Sequence, residues 1–180
     1  MDLANVVIRG RSFLYQPEIY AFKSGKKKGT TLLSLMFSDP SYLAWQKRIL
    51  DSEMTTMTSP NRLHLHLAWI LSVGESLEAP VLCPYCLGEK RNIKMFSVRH
   101  SSGECTYGHE FVCCNDVGCK QKLNEERSSL LPLKFSSLRQ FRNTEQKRMG
   151  KFFKEIFLGT ERFDSDKAFR LFLSSTTLIR

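Results

Sequence analysis

A chain of 180 residues, 42% hydrophobic and with thirteen Phe, has the composition of one ordinary globular domain or two small ones rather than of a disordered protein. Its 27 Lys and Arg against 18 Asp and Glu give a formal net charge of +9, which suits a polyanion such as nucleic acid better than an acidic protein groove or a membrane. No stretch approaches the roughly 18 continuous apolar residues of a membrane span, and MDLANVVIRG lacks a basic-then-apolar leader, so the expectation is an intracellular, cytoplasmic protein, compatible with association with the nucleoid.

In chain order, VVIRGRSFLYQPEIYAF is rich in β-branched and aromatic residues and is broken by Gly10 and Pro17, which predicts two short strands. SGKKKG then makes a turn. From Thr30 the pattern turns helical: Leu32, Leu33, Leu35 and Met36 share a face, with Thr30 or Thr31 available as a cap. Asp39-Pro40 interrupts that helix, and Pro40 suits the first turn of a second one carrying Tyr42, Leu43, Trp45, Ile49 and Leu50. SEMTTMTSPN reads as a linker. A further helix is expected from Ser59-Pro60, burying Leu63, Leu67, Ile70 and Leu71, although the alternation of Leu63, Leu65 and Leu67 leaves a strand open.

All six cysteines fall between Cys83 and Cys119, whereas a secreted disulfide scaffold spreads its bridges along the chain. Cys83-Pro-Tyr-Cys86 is a knuckle pattern, two thiolates two residues apart in a tight turn, followed by Gly88 to permit positive φ. IKMFSVR and HEFVCC are strand-like around the loop HSSGE, predicting a hairpin that brings the pairs together. The second pair is Cys114 and Cys119, running into KQKLNEER, where a helix N-terminus favours thiolates. Cys83, Cys86, Cys114 and Cys119 are therefore the expected ligands of a structural zinc ion. Cys114 is preferred to Cys113 because adjacent thiols do not both easily point inward, and a mixed site using Cys105 and His109 is the alternative.

After the cysteines the pattern is helical: KQKLNEER, then residues 136–158, then DSDKAFRLFL. Arg139, Arg142, Lys147, Arg148, Lys151 and Lys154 share the middle stretch with Phe141, Phe152 and Phe153, a mixture of charge and π faces found in single-strand binders. An amphipathic helix with inward phenylalanines explains the same pattern without a ligand. The expected class is α+β: a strand and helix module at 1–55, a linker helix at 56–80, a zinc hairpin and helix at 81–127, and a basic helical region at 128–180.

The ordered pattern Phe22-Lys-Ser-Gly25-Lys26-Lys27-Lys28-Gly29, then Leu32 and Leu35, then Asp39-Pro40-Ser-Tyr42-Leu43-Ala-Trp45 resembles the small C-terminal accessory domain of exodeoxyribonuclease X-like proteins over residues 18–50. The resemblance implies an accessory domain of nucleic-acid metabolism and imports no nuclease activity. Physically, Gly25 and Gly29 let the backbone turn while Lys26, Lys27 and Lys28 project toward phosphate. The plain alternative is a solvated turn, with Tyr42 and Trp45 in the core.

No cluster of Asp and Glu for a two-metal nuclease is evident. A His-Asn-His endonuclease is incomplete: Arg99 precedes His100, and no suitable Asn lies between the cysteine pairs. GKKKGTT is too short for a nucleotide-cradling loop, and His64 and His66 read as helix-surface or core-edge residues. The functional expectation is thus a non-catalytic accessory protein binding DNA or RNA, with an adaptor for a nucleic-acid-processing protein as the alternative.

Overall fold

The computed structural model describes residues 2–53, 59–77, 79–87, 94–98, 110–126, 130–134, 143–159, 162–176 and 178–179. The chain is α+β and divides into two compact units, Met1–Leu77 with Glu161–Arg180, and Glu78–Thr160. The second unit is thus inserted into the sequence of the first.

The first unit opens with strands β1 (Leu3–Ile8) and β2 (Arg11–Tyr15), paired antiparallel with Ile8 opposite Arg11. Arg9 and Gly10 both hold positive φ (50° and 77°), the two-residue turn that matches strand twist. Period-two alternation puts Ala4, Val6 and Ile8 inward, and Val7 outward. Helix α1 (Leu32–Ser38) starts where the Thr31 hydroxyl accepts the Ser34 N–H at 3.0 Å. Asp39 ends it, and α2 (Pro40–Glu53) begins at the proline, which needs no N–H there.

Residues 62–76 form α3, capped by Asn61, whose side chain accepts the His64 N–H at 3.0 Å. This settles the strand-or-helix ambiguity in favour of helix. Within the stretch read as a linker helix, 56–80, Leu67, Trp69 and Ile70 are buried and α3 packs on β1 and β2. His66 is fully buried and His64 nearly so, against the expectation of surface or core-edge positions. His66 is hydrogen-bonded through Nδ1 to Tyr15 Oη at 2.7 Å and stacks on Tyr20, so ring contacts make a polar side chain tolerable in the core.

The stretch expected as one basic region at 128–180 is divided between the units. Helix α6 (Ser165–Ser174), capped by Asp164, returns to the first unit and buries Ala168 and Phe172. Phe172 meets both Phe37 and Trp69, and Trp69 Nε1 donates to Thr176 Oγ1 at 3.0 Å. Strand β6 (Leu178–Ile179) pairs with β1, completing a sheet of order β2-β1-β6.

The second unit contains the predicted hairpin, β3 (Lys94–Val98) antiparallel to β4 (Glu110–Cys113). Strand β5 (Leu130–Pro132) adds to the other edge of β3. Between β4 and β5 lies α4 (Val117–Glu126), and α5 (Asn143–Leu158) follows. Met149, Phe153, Phe157 and Leu158 form the buried face of α5. No described helix is long and apolar enough to cross a membrane.

Candidate metal centre

The sulfur atoms of Cys83, Cys86, Cys114 and Cys119 all lie within 4.8 Å of one another, the expected four brought to one point. Cys83 and Cys86 come from a tight turn, Cys114 follows β4 at the end of the hairpin, and Cys119 sits in the first turn of α4. Three of the thiols are buried and Cys86 faces outward. Cys86 Sγ and Cys114 Sγ are 4.0 Å apart. Such a set of thiolates could hold a metal ion.

The backbone shapes the turn. Leu87 N–H donates to Cys83 O at 2.9 Å, and Leu87 itself holds φ of 48°, so the left-handed residue comes one position before the glycine expected to supply it. A left-handed non-glycine costs roughly 1–2 kcal/mol, which the turn hydrogen bond and the clustered ligands must offset. Gly88 lies outside the described residues.

Burial opposes ionisation of Cys83, but the N–H groups of Cys114, Tyr85 and Cys86 directed at its sulfur outweigh burial and hold its pKa down to about 6. The Cys114 N–H lies 3.5 Å from that sulfur. Burial, together with the other three thiols, pushes Cys119 upward. Without a cation at the centre, four close sulfurs do not all ionise together. A metal ion removes that conflict by replacing repulsion with four attractive contacts.

Cys113, adjacent to a ligand, is wholly buried and donates its S–H to Cys114 O at 3.4 Å. Burial pushes its pKa up to about 12, and it stands outside the four-sulfur cluster. Cys105, His109 and His100 lie outside the described residues.

Two residues that sequence reasoning missed support the centre. Asp116 Oδ1 accepts the Cys119 N–H at 3.1 Å, capping α4 and fixing the last ligand; an Asp just before a helix was the available signal. Tyr85 Oη donates to Glu126 Oε2 at 3.0 Å, tying the knuckle to the far end of α4.

The predicted basic residues fare unevenly. Lys26 and Lys28 are exposed, but Lys27 is half-buried, its Nζ 2.7 Å from Asp39 Oδ2 and 5.2 Å from the centre of the Tyr42 ring. Lys27 is therefore drawn back onto the protein instead of projecting toward phosphate. Asp39 is burdened by burial, yet the hydrogen bonds from Lys27 and Ser41 hold its carboxyl below the usual range. Trp45, expected in the core with Tyr42, is 43% exposed. On α5, Lys147, Arg148 and Lys151 are exposed and Lys154 is half-buried, with Glu110 3.9 Å from Arg148 and Glu155 3.8 Å from Lys151. Arg139 and Arg142 lie outside the described residues.

No protein-family model, curated protein or solved structure matches this chain.

Proposed function

We propose that this chain is a zinc-containing accessory protein that binds nucleic acid and performs no catalysis. The observation that carries the reading is the four-thiol cluster. Thiolates about 2.3 Å from a tetrahedral zinc stand about 3.8 Å from one another, and sulfurs within 4.8 Å reach that spacing with small side-chain adjustments. Four soft sulfur donors favour zinc over magnesium or calcium, which take oxygen. A four-thiolate site leaves no open position for water, so the ion's role is to join knuckle, hairpin and α4.

The nucleic-acid half rests on the net charge of +9 and on exposed Lys26, Lys28, Lys147, Arg148 and Lys151. Neutralising phosphates with such residues releases counterions and yields affinity that falls steeply with salt. The resemblance to the exodeoxyribonuclease X accessory domain points the same way.

A second reading, a protein-docking adaptor, is favoured by Leu82, Leu87 and Val117, each more than half exposed and each within two residues of a ligand cysteine. One experiment separates the two: binding of the full chain to labelled single- and double-stranded DNA and RNA across a salt series, with metal content measured on the same sample. Salt-dependent binding and one zinc per chain support the accessory-protein reading; no binding at low salt overturns its nucleic-acid half and leaves the adaptor.

A further inference from the structure

A large aromatic ring left in water beside unpaired positive charge suits a ligand with both a π face and a negative charge. Trp45 offers such a ring on the outer side of α2, whereas the chain's other tryptophan, Trp69, is 1% exposed. The Trp45 ring lies 5.3 Å from that of Tyr42, and Tyr42 is held from several sides. Phe22 meets it edge-on at 5.7 Å, Lys27 sits over its face, and Gln46 Nε2 donates to its hydroxyl at 3.0 Å. The indole is therefore backed by a fixed support, so little freedom remains to be lost when a flat ligand covers it.

Basic residues neighbour this support along the chain. Arg48, exposed, stands one helical turn beyond Trp45 on the same side of α2. Lys26 and Lys28 are exposed on either side of Lys27, and neither they nor Arg48 forms an ion pair among the described residues. Lys27 is the exception, and its pairing with Asp39 anchors the loop that displays its two neighbours.

Resting on the nucleic-acid reading above, we infer that Trp45 is a stacking site for an unpaired nucleobase, with Lys26, Lys28 and Arg48 contacting the flanking phosphates. Bases in a duplex have both faces covered by their neighbours, so the site selects single-stranded nucleic acid. Lys27 is a positioning residue that orders the loop and adds little to phosphate contact.

The test uses the full, zinc-loaded chain titrated with oligo(dT) and with a duplex of equal length, read by tryptophan fluorescence and by anisotropy of a labelled strand at two salt concentrations. Oligo(dT) should quench the Trp45 emission. Trp45→Ala should weaken binding about tenfold or more while leaving the salt slope unchanged, and Trp45→Phe should recover part of the loss. Lys26→Ala with Lys28→Ala should lower the slope. If Trp45→Ala binds oligo(dT) as tightly as the unaltered chain, or if only duplex is bound, the stacking site is overturned and the nucleic-acid reading stands. If the unaltered chain binds no oligonucleotide at low salt, both fall.

Discussion

Lys27 Nζ rests 2.7 Å from Asp39 Oδ2, and this ion pair ties the glycine-bounded loop to the start of α2. Both partners are about a quarter exposed, so solvent screens the pair and its worth is modest, about 0.5–1 kcal/mol. Asp39→Asn should cost that much at neutral pH by urea unfolding. Because the folded carboxyl is held below its usual 3.8, the contribution is complete above that value and is lost as pH falls through the lowered one. The difference between Asp39→Asn and the unaltered chain should therefore shrink in acid. In binding assays Lys27→Ala should leave the salt slope nearly unchanged, since Asp39 already neutralises that charge.

Chelation or Cys119→Ser should release the metal and abolish the ordered hairpin-to-α4 junction, read by metal analysis and by circular dichroism. Structural zinc sites contribute apparent binding free energies on the order of 10–16 kcal/mol, so the loss should be large. Cys113→Ser should retain the metal. A variant at Cys113 that loses its metal would move the fourth ligand to that sulfur.

His66 is kept neutral, first by burial and then by the charge of Arg62, so its pKa falls to about 3 in the folded protein. An unfolded chain takes up that proton near 6.5. Stability is thus complete above 6.5 and declines as pH drops toward 3, by at most about 1.4 kcal/mol per pH unit from this group. His66→Gln should be less stable at pH 7, through the altered contact with Tyr15, and should show a flatter decline in acid when followed by urea denaturation at several pH values.

Phe172 is fully buried between Phe37 and Trp69. Phe172→Ala should cost about 3–5 kcal/mol by urea denaturation, the penalty for a cavity at a closed aromatic contact. A loss below 1 kcal/mol would show that α6 contributes little to the first unit.

Local chemistry made much of this legible. Thr31 and Pro40 announce helix starts through a side-chain cap and a missing N–H, and the Cys83-x-x-Cys86 turn announces half of the four-thiol cluster, because in each case the cause sits within a few residues of the effect. What escaped depends on distant partners. Nothing within α3 says that β1 and α6 cover it, so His66 reads as a helix-surface or core-edge residue, and two-residue β6 carries no periodicity of its own. The fate of Lys27 and Trp45 was hidden for the same reason: whether a lysine points outward depends on an aspartate twelve positions away, and whether an indole is covered depends on the chain that returns beside it.

The pairing of β6 with β1 has a consequence for the order of events on the ribosome. Residues 78–160, with all four clustered cysteines, are synthesised before α6 and β6. If the cysteine cluster takes up a metal ion, the inserted unit can fold while the first still waits, with Phe37 and Trp69 lacking the Phe172 contact that later covers them. Joining β1 to β6 also imposes a long closure, which an insert already folded around a metal would shorten. Metal starvation during synthesis should therefore leave the first unit, which has no ligand of its own among the four, slow to mature and open to proteolysis.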